Sequence, residues 1–190
     1  RSDSYQSEAE LEQEFIRMLC EQGYEYLPLH TERDMINNLR ERLQELNNYE
    51  FTDKEWTYFF NNDIANPNFS LQDKTRNIQE DYRKVLKRDD GSTKNISLID
   101  KTNIHNNRLQ VINQYVMGLQ DGEKHDNRYD VTVLVNGLPL VHVELKRRGV
   151  QIREAFNQIN RYKRDSFWAG SGLFEYLCNF KRNKYQILFE

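Results

Sequence analysis

The chain has 190 residues, which is long enough to bury a sizeable apolar core, and 12% of them are aromatic. Lys and Arg number 27 against 30 Asp and Glu, which gives a net charge of -3. The longest apolar runs have only strand length, so the sequence indicates neither a transmembrane segment nor a signal peptide. We expect a single domain over residues 1–190.

Charge is unevenly distributed along the chain. Residues 1–63 carry six basic against fifteen acidic side chains, so the remainder has a net charge of +6. Two cysteines, Cys20 and Cys178, lack the spacing of a metal site. We interpret them as reduced, buried thiols of a cytoplasmic protein, although a disulfide is an alternative.

The first predicted element is a helix that begins at a capping box. Ser7-Glu8-Ala9-Glu10 has the capping pattern, and Gly23 is expected to end the helix. The predicted buried stripe consists of Leu11, Phe15, Met18 and Leu19.

Helical patterns dominate the next part of the chain. We predict helices over 31–46, from the capping box 52–55 through Phe60, and over 70–79. The turn at 89–92 is expected to join two strands, near 82–88 and 95–100. A further strand is predicted over 106–116, where Asn113 and Gln114 are expected to fix neighbouring backbone.

A β-hairpin is predicted over residues 129–145. Two runs rich in Val and Leu flank Asn136-Gly137, which is a strong turn signal. Side chains alternate along a strand, so the valines form one apolar face. Asp130 lies on the opposite face of the first strand, and Glu144 and Lys146 lie on that face of the second.

The register decides whether the two acids meet. A regular two-residue turn would place Asp130 and Glu144 on opposite faces and would split the valine surface. Because burial favours one intact apolar face, we predict an odd loop or a bulge near residues 135–139.

Two carboxylates on one face are hard oxygen ligands of the kind that Mg²⁺ prefers. Such an ion activates a water molecule and stabilises charge on a phosphodiester oxygen. Lys146 lies two residues after Glu144 and is suited to offset phosphate charge or to position the attacking water. The sequence therefore indicates a metal-dependent hydrolytic site.

A helix is predicted over residues 151–164. Gln158 and Tyr162 are four residues apart and share a face, where they either bind phosphate or brace the preceding strand. Residues 146–164 include seven basic side chains and one acidic one. This stretch is either a contact for nucleic-acid phosphates or a solvated helix face, and charge alone does not decide.

These residues together resemble a known superfamily. Asp130 followed by Glu144-Leu145-Lys146 is similar to the D…ExK signature of the PD-(D/E)xK nucleases, and residues 158–162 resemble their QxxxY element. The segments 135–141 and 154–159 are especially similar to the N-terminal nuclease domain of Type I restriction subunits, and so is the start of the first helix. The likeness is loose over residues 30–100.

The resemblance implies an α/β fold of restriction-endonuclease type, with a mixed central sheet flanked by helices and a helical insertion at about 31–80. It implies that Asp130 and Glu144 are catalytic and bind Mg²⁺, with the Leu145 carbonyl as a further ligand and Lys146 as the third catalytic residue. Gln158 and Tyr162 would brace the site or contact DNA. An N-terminal glutamate approaches the site in this family, and Glu8 is our choice, although the helix dipole alone would favour acids there.

The resemblance further implies the substrate and the partners. The substrate would be double-stranded DNA, and the partners would be the modification and specificity subunits. ATP would bind only in motor domains that follow the nuclease, so we expect the chain to be an N-terminal fragment of a larger subunit. Two alternatives stay open: a stand-alone repair nuclease or Holliday-junction resolvase, and a DNA-binding module of the same fold that does not cut.

Overall fold

The computed structural model describes residues 7–116, 128–145, 178–183 and 186–189. The α-helices of this part are α1 (Glu8–Glu21), α2 (Glu32–Asn47), α3 (Asp53–Phe59) and α4 (Leu71–Gln79). A π-helical turn at Phe60–Ile64 follows α3, and a 3₁₀ turn spans Ile104–Asn106. The strands are β1 (Glu25–Tyr26), β2 (Arg83–Lys87), β3 (Thr93–Ser97), β4 (Leu109–Val116), β5 (Arg128–Val135), β6 (Leu138–Leu145), β7 (Cys178–Asn183) and β8 (Gln186–Phe189).

Six of these strands form the central sheet, in the order β1-β4-β5-β6-β7-β8. The pairs β1–β4 and β6–β7 are parallel, and the other neighbours in the sheet are antiparallel. Strands β2 and β3 form a separate antiparallel ribbon. The predicted fold class, an α/β fold with a mixed central sheet flanked by helices, is confirmed.

Helix α1 covers one face of the sheet. It begins at the predicted capping box, in which the Ser7 hydroxyl accepts from the Glu10 backbone N–H at 3.2 Å and the Glu10 carboxylate accepts from the Ser7 backbone N–H at 2.7 Å. Ile16 packs against the valine face of the hairpin. The predicted stripe is wrong in detail, because the buried residues of α1 are Glu12 and Ile16 while Leu11, Phe15, Met18 and Leu19 are only partly buried. The prediction that the cysteines are buried is wrong for Cys20, which is a free thiol exposed near the end of α1.

Helix α2 covers the other face of the sheet. Its fully buried Met35, Leu39 and Leu43 join Ile112 and Leu134 in the larger apolar cluster, while Leu46 is only partly buried. This cluster also receives the aromatic side chains of α3 and the inward side chains of the β2–β3 ribbon. The helical region thus packs directly on the central sheet, and its status as an insertion relative to the family stays a prediction.

The hairpin turn lies directly against α2. Gly137 lies so near α2 that a Cβ atom added to it would be 2.6 Å from the Leu39 Cα atom. The neighbouring Asn136 is buried, and its side-chain amide donates to the Leu98 carbonyl at 3.0 Å and accepts from the Arg108 backbone N–H at 2.8 Å. The Asn136-Gly137 turn therefore fixes the hairpin to both α2 and the chain before β4.

The other predicted elements have clear counterparts. The predicted capping box at Thr52 begins α3, and α4 begins after Ser70 as expected, where a capping box is also present. The turn at 89–92 joins β2 to β3. The predicted helix at 151–164 lies outside the described residues. In the described part of the chain, no helix has the length and apolar character needed to cross a membrane.

Candidate active site

The β5–β6 hairpin has the predicted bulge. Its turn is a tight two-residue loop in which Asn136 and Gly137 have φ angles of 51° and 81°, and Val135 pairs with Leu138. Leu134 then pairs with Pro139, but Val133 pairs with Val141, so Leu140 is an extra residue in β6. The prediction of an odd loop or bulge near residues 135–139 is confirmed, and the Asn-Gly turn signal is satisfied as well.

The bulge restores one intact apolar face. Beyond it, Val131 pairs with Val143, and both are buried against Ile16. Thr132 pairs with His142 on the opposite face. Since side chains alternate along each strand, the next residues on that face are Asp130 and Glu144. The two acids therefore lie on adjacent central strands and on the same face of the sheet.

The surroundings of the two acids differ. Glu144 is only 5% exposed, whereas Asp130 is half-buried. The Leu145 backbone N–H donates to the Asp130 Oδ2 atom at 2.7 Å, which fixes this carboxylate against β6. Two neighbouring carboxylates in a partly buried site raise the free energy of the ionised pair unless a cation or a shared proton compensates.

The carboxylates of Asp130 and Glu144 are suitable ligands for a hard divalent cation, but they are only two side chains. The described residues contain no group of three or more His, Cys, Asp or Glu side chains arranged to hold a metal ion. Asp130 and Glu144 therefore supply two carboxylates, and further ligands would have to be backbone carbonyls, water or residues outside the described ranges.

His142 lies on the same face of β6 as Glu144, two residues before it in the chain. Its Nδ1 atom and the Thr132 hydroxyl are 2.6 Å apart and share a hydrogen bond. Burial lowers the pKa of His142 to about 3, so the imidazole is neutral at physiological pH. This environment suits a polar residue that ties β5 to β6 and disfavours a proton carrier.

The remaining predicted site residues fall into two groups. Lys146, Gln158 and Tyr162 lie outside the described residues. Glu8 is exposed in the first turn of α1, and the acid of this helix that contacts the sheet is Glu12.

Two features of the site region were not predicted. Glu12 is 6% exposed and accepts hydrogen bonds from the side-chain amides of Asn113 and Gln114, so those amides bind a carboxylate and not the backbone as expected. The sequence feature that could have indicated a buried Glu12 is its position three and four residues before Phe15 and Ile16, which places it on the apolar stripe of α1. The register also places Lys181 of β7 beside Glu144, a long-range pairing that no local pattern indicates.

Comparison with known protein families decides the classification. The chain matches the family described as "Type I restriction enzyme R protein N terminus" over residues 5–190. The chain belongs to this family. The predicted resemblance to the N-terminal domain of Type I restriction subunits is thereby confirmed.

Curated relatives in this family carry consistent names. The chain is 50% identical to the Type I restriction enzyme EcoprrI endonuclease subunit of Escherichia coli over 177 residues, which are 93% of this chain and 55% of that protein. It is 38% identical to the SsaAORF53P endonuclease subunit of Staphylococcus saprophyticus over 182 residues, or 91% of this chain and 18% of the relative. The SauMSSORF170P endonuclease subunit of Staphylococcus aureus is also 38% identical, over 186 residues, which are 93% of this chain and 18% of that relative. The chain thus spans about half of the first relative and under a fifth of the staphylococcal ones.

Proposed function

We propose that this chain is the Mg²⁺-dependent nuclease domain of a Type I restriction subunit and that it cleaves phosphodiester bonds of double-stranded DNA. The observation that carries the proposal is the bulge at Leu140, which brings Asp130 and Glu144 onto one face of adjacent strands. Family membership and the names of the relatives support the same assignment.

The proposed metal ligands are the Asp130 and Glu144 carboxylates and the Leu145 carbonyl. The Leu145 N–H points toward Asp130, and in an extended strand the N–H and C=O of one residue face the same neighbour. The Leu145 carbonyl is therefore suitably directed to complete an all-oxygen set. Bound Mg²⁺ would supply a Lewis acid for the phosphodiester and a more acidic water.

The other roles follow from the family. Lys146 would offset charge on the phosphate or position the attacking water, and Gln158 and Tyr162 would bind phosphate or brace the ExK strand. Glu8 remains a proposed auxiliary residue. We place the protein in the cytoplasm, with modification and specificity subunits as partners and with ATP consumed by downstream motor domains.

The decisive experiment uses the full-length subunit assembled with its partner subunits. Lys146→Ala should abolish DNA cleavage and leave the ATPase rate intact, because only the nuclease site loses a charged group. Lys87→Ala is the matched control, since Lys87 is an exposed basic residue on the β2–β3 ribbon. Cleavage that persists in Lys146→Ala would show that the site assignment is wrong.

The same assay separates the alternatives. A DNA-binding module that does not cut would show no cleavage in the wild-type complex under any divalent metal, while still binding DNA. A stand-alone nuclease would cut without ATP and without partner subunits.

A further inference from the structure

The conformation of Gln114 is unusual for its place in the sheet. Gln114 lies inside β4, yet its φ angle is 55°, in the left-handed region that non-glycine residues seldom adopt. Such a conformation strains the backbone and persists only where its surroundings enforce it. A strained residue inside a central strand therefore calls for an identified restraint.

The restraint comes from α1. The Gln114 side-chain amide donates to the Oε2 atom of Glu12, and the Asn113 amide donates to the Oε1 atom of the same carboxylate at 2.6 Å. Glu12 is 6% exposed, so these charge-assisted hydrogen bonds are shielded from water. One turn later Ile16 packs on the valine face of the hairpin, which fixes the helix itself.

The register connects this restraint to the proposed site. Asn113 pairs with Val131 and Tyr115 pairs with Tyr129, so Gln114 lies across from Asp130. Asp130 in turn accepts the Leu145 N–H on its other side. Gln114 therefore connects the Glu12 carboxylate to the part of β4 that faces the strand position of Asp130.

We propose that Glu12 is a positioning residue of the nuclease site. Through Gln114 it holds the β4 backbone in a strained conformation beside Asp130, and this conformation sets the direction of the Asp130 carboxylate toward the metal. The inference rests on the proposed nuclease function and assigns Glu12 no direct contact with metal or substrate.

The test compares Gln114→Gly and Glu12→Gln in the full-length subunit within its complex. Glycine adopts a positive φ without strain, so Gln114→Gly should keep or raise the Tm of the domain. It should nevertheless slow single-turnover cleavage about tenfold and raise the Mg²⁺ concentration for half-maximal rate, as loss of an outer-shell partner does. Glu12→Gln should have a similar effect, and the double variant should be no slower than either single variant.

Glu14→Gln, an exposed glutamate on the same helix, is the matched control and should leave the rate and the Mg²⁺ dependence unchanged. A merely structural role predicts that cleavage follows only the folded fraction, so wild-type cleavage in Gln114→Gly would overturn the proposal. Multiplicative losses in the double variant would overturn it too. Glu144→Gln tests the nuclease site separately from the positioning role of Glu12. Cleavage by that variant would refute the nuclease site itself.

Discussion

Two equally buried glutamates in this molecule have opposite surroundings. Glu55 and Glu144 are both 5% exposed. The Glu55 carboxylate accepts hydrogen bonds from the Tyr49 hydroxyl at 2.8 Å, from the Asp89 backbone N–H at 3.0 Å and from the Thr52 backbone N–H at 3.1 Å. Glu144 instead lies beside a second carboxylate, that of Asp130, on the adjacent strand.

The electrostatic consequence is clear for Glu55. Burial by itself raises the pKa of this carboxyl, but the hydrogen bonds from Asp89, Tyr49 and Thr52 outweigh it and lower the pKa below the ordinary 4.5. Donors of this kind stabilise the ionised form and hence the fold. At Glu144 the neighbour on the adjacent strand is a second carboxylate, and a bound cation relieves the repulsion between two such groups.

The comparison teaches that burial alone does not identify a functional acid. The helical region from α2 to β3 surrounds its buried carboxylate with donors, which is the arrangement that stability requires. The hairpin places a second carboxylate on the strand beside its buried one. That juxtaposition of two acids, and not burial, is what points to a cationic ligand.

The largest expected effect tests this contrast directly. Glu144→Gln should reduce DNA cleavage by the full complex by at least about a hundredfold, since even outer-shell partners of a metal cost up to that factor. Without divalent metal, the free energy of unfolding should change far less than the cleavage rate, because Gln keeps the size of the side chain and removes one of two neighbouring like charges. Single-turnover cleavage and urea unfolding in EDTA measure the two quantities.

Mg²⁺ provides the control for that experiment. Adding the ion should raise the Tm of the wild-type chain, because a ligand that binds only the folded state stabilises it, and should leave the Tm of Glu144→Gln unchanged. An equal rise in both proteins would mean that the bound ion lies elsewhere.

Much of the hairpin could be predicted from the sequence, because two local rules act on it together. The Asn136-Gly137 signal requires a tight turn, and the two valine runs require a common apolar face. Only an extra residue satisfies both, and Leu140 is that residue. The register of Asp130 and Glu144 was therefore predictable without any knowledge of the rest of the sheet.

The support around the hairpin was not predictable in the same way. Glu12 lies on an apolar stripe, and a pattern of apolar residues cannot show that Asn113 and Gln114 will meet it from β4. Likewise, the helix pattern of α2 indicates a buried stripe but not its partner, since Leu39 and Gly137 are nearly a hundred residues apart in the chain. Long-range contacts of this kind depend on the assembled sheet.

Gly137→Ala should have the next largest effect, on stability. The new Cβ atom would be 2.6 Å from Leu39 Cα, and the φ angle of 81° disfavours any L side chain, so we expect a loss of about 2–4 kcal/mol. Urea unfolding of the 190-residue chain measures this change.

Gly91 offers a matched control for the close approach. Its φ angle is 83°, but no atom of the described residues beyond its chain neighbours lies within 4 Å of the Cβ position, so Gly91→Ala should show the backbone cost alone, about 1 kcal/mol. Equal losses at the two glycines would mean that α2 moves freely away from the hairpin turn.

A smaller effect than that of Gly137→Ala is expected at Glu55, and it depends on pH. Glu55→Gln should cost about 1–2 kcal/mol at pH 7, because the ionised carboxylate no longer accepts the hydrogen bonds from Tyr49, Thr52 and Asp89. A carboxyl whose pKa is lowered on folding binds fewer protons in the folded state than in the unfolded state. Its contribution is therefore present above the ordinary pKa of 4.5 and is lost as the pH falls through the folded value. Urea unfolding of wild type and variant at pH 7 and below pH 4.5 should show a difference that shrinks in acid. A difference that stays constant with pH would mean that Glu55 contributes through packing and not through its charge.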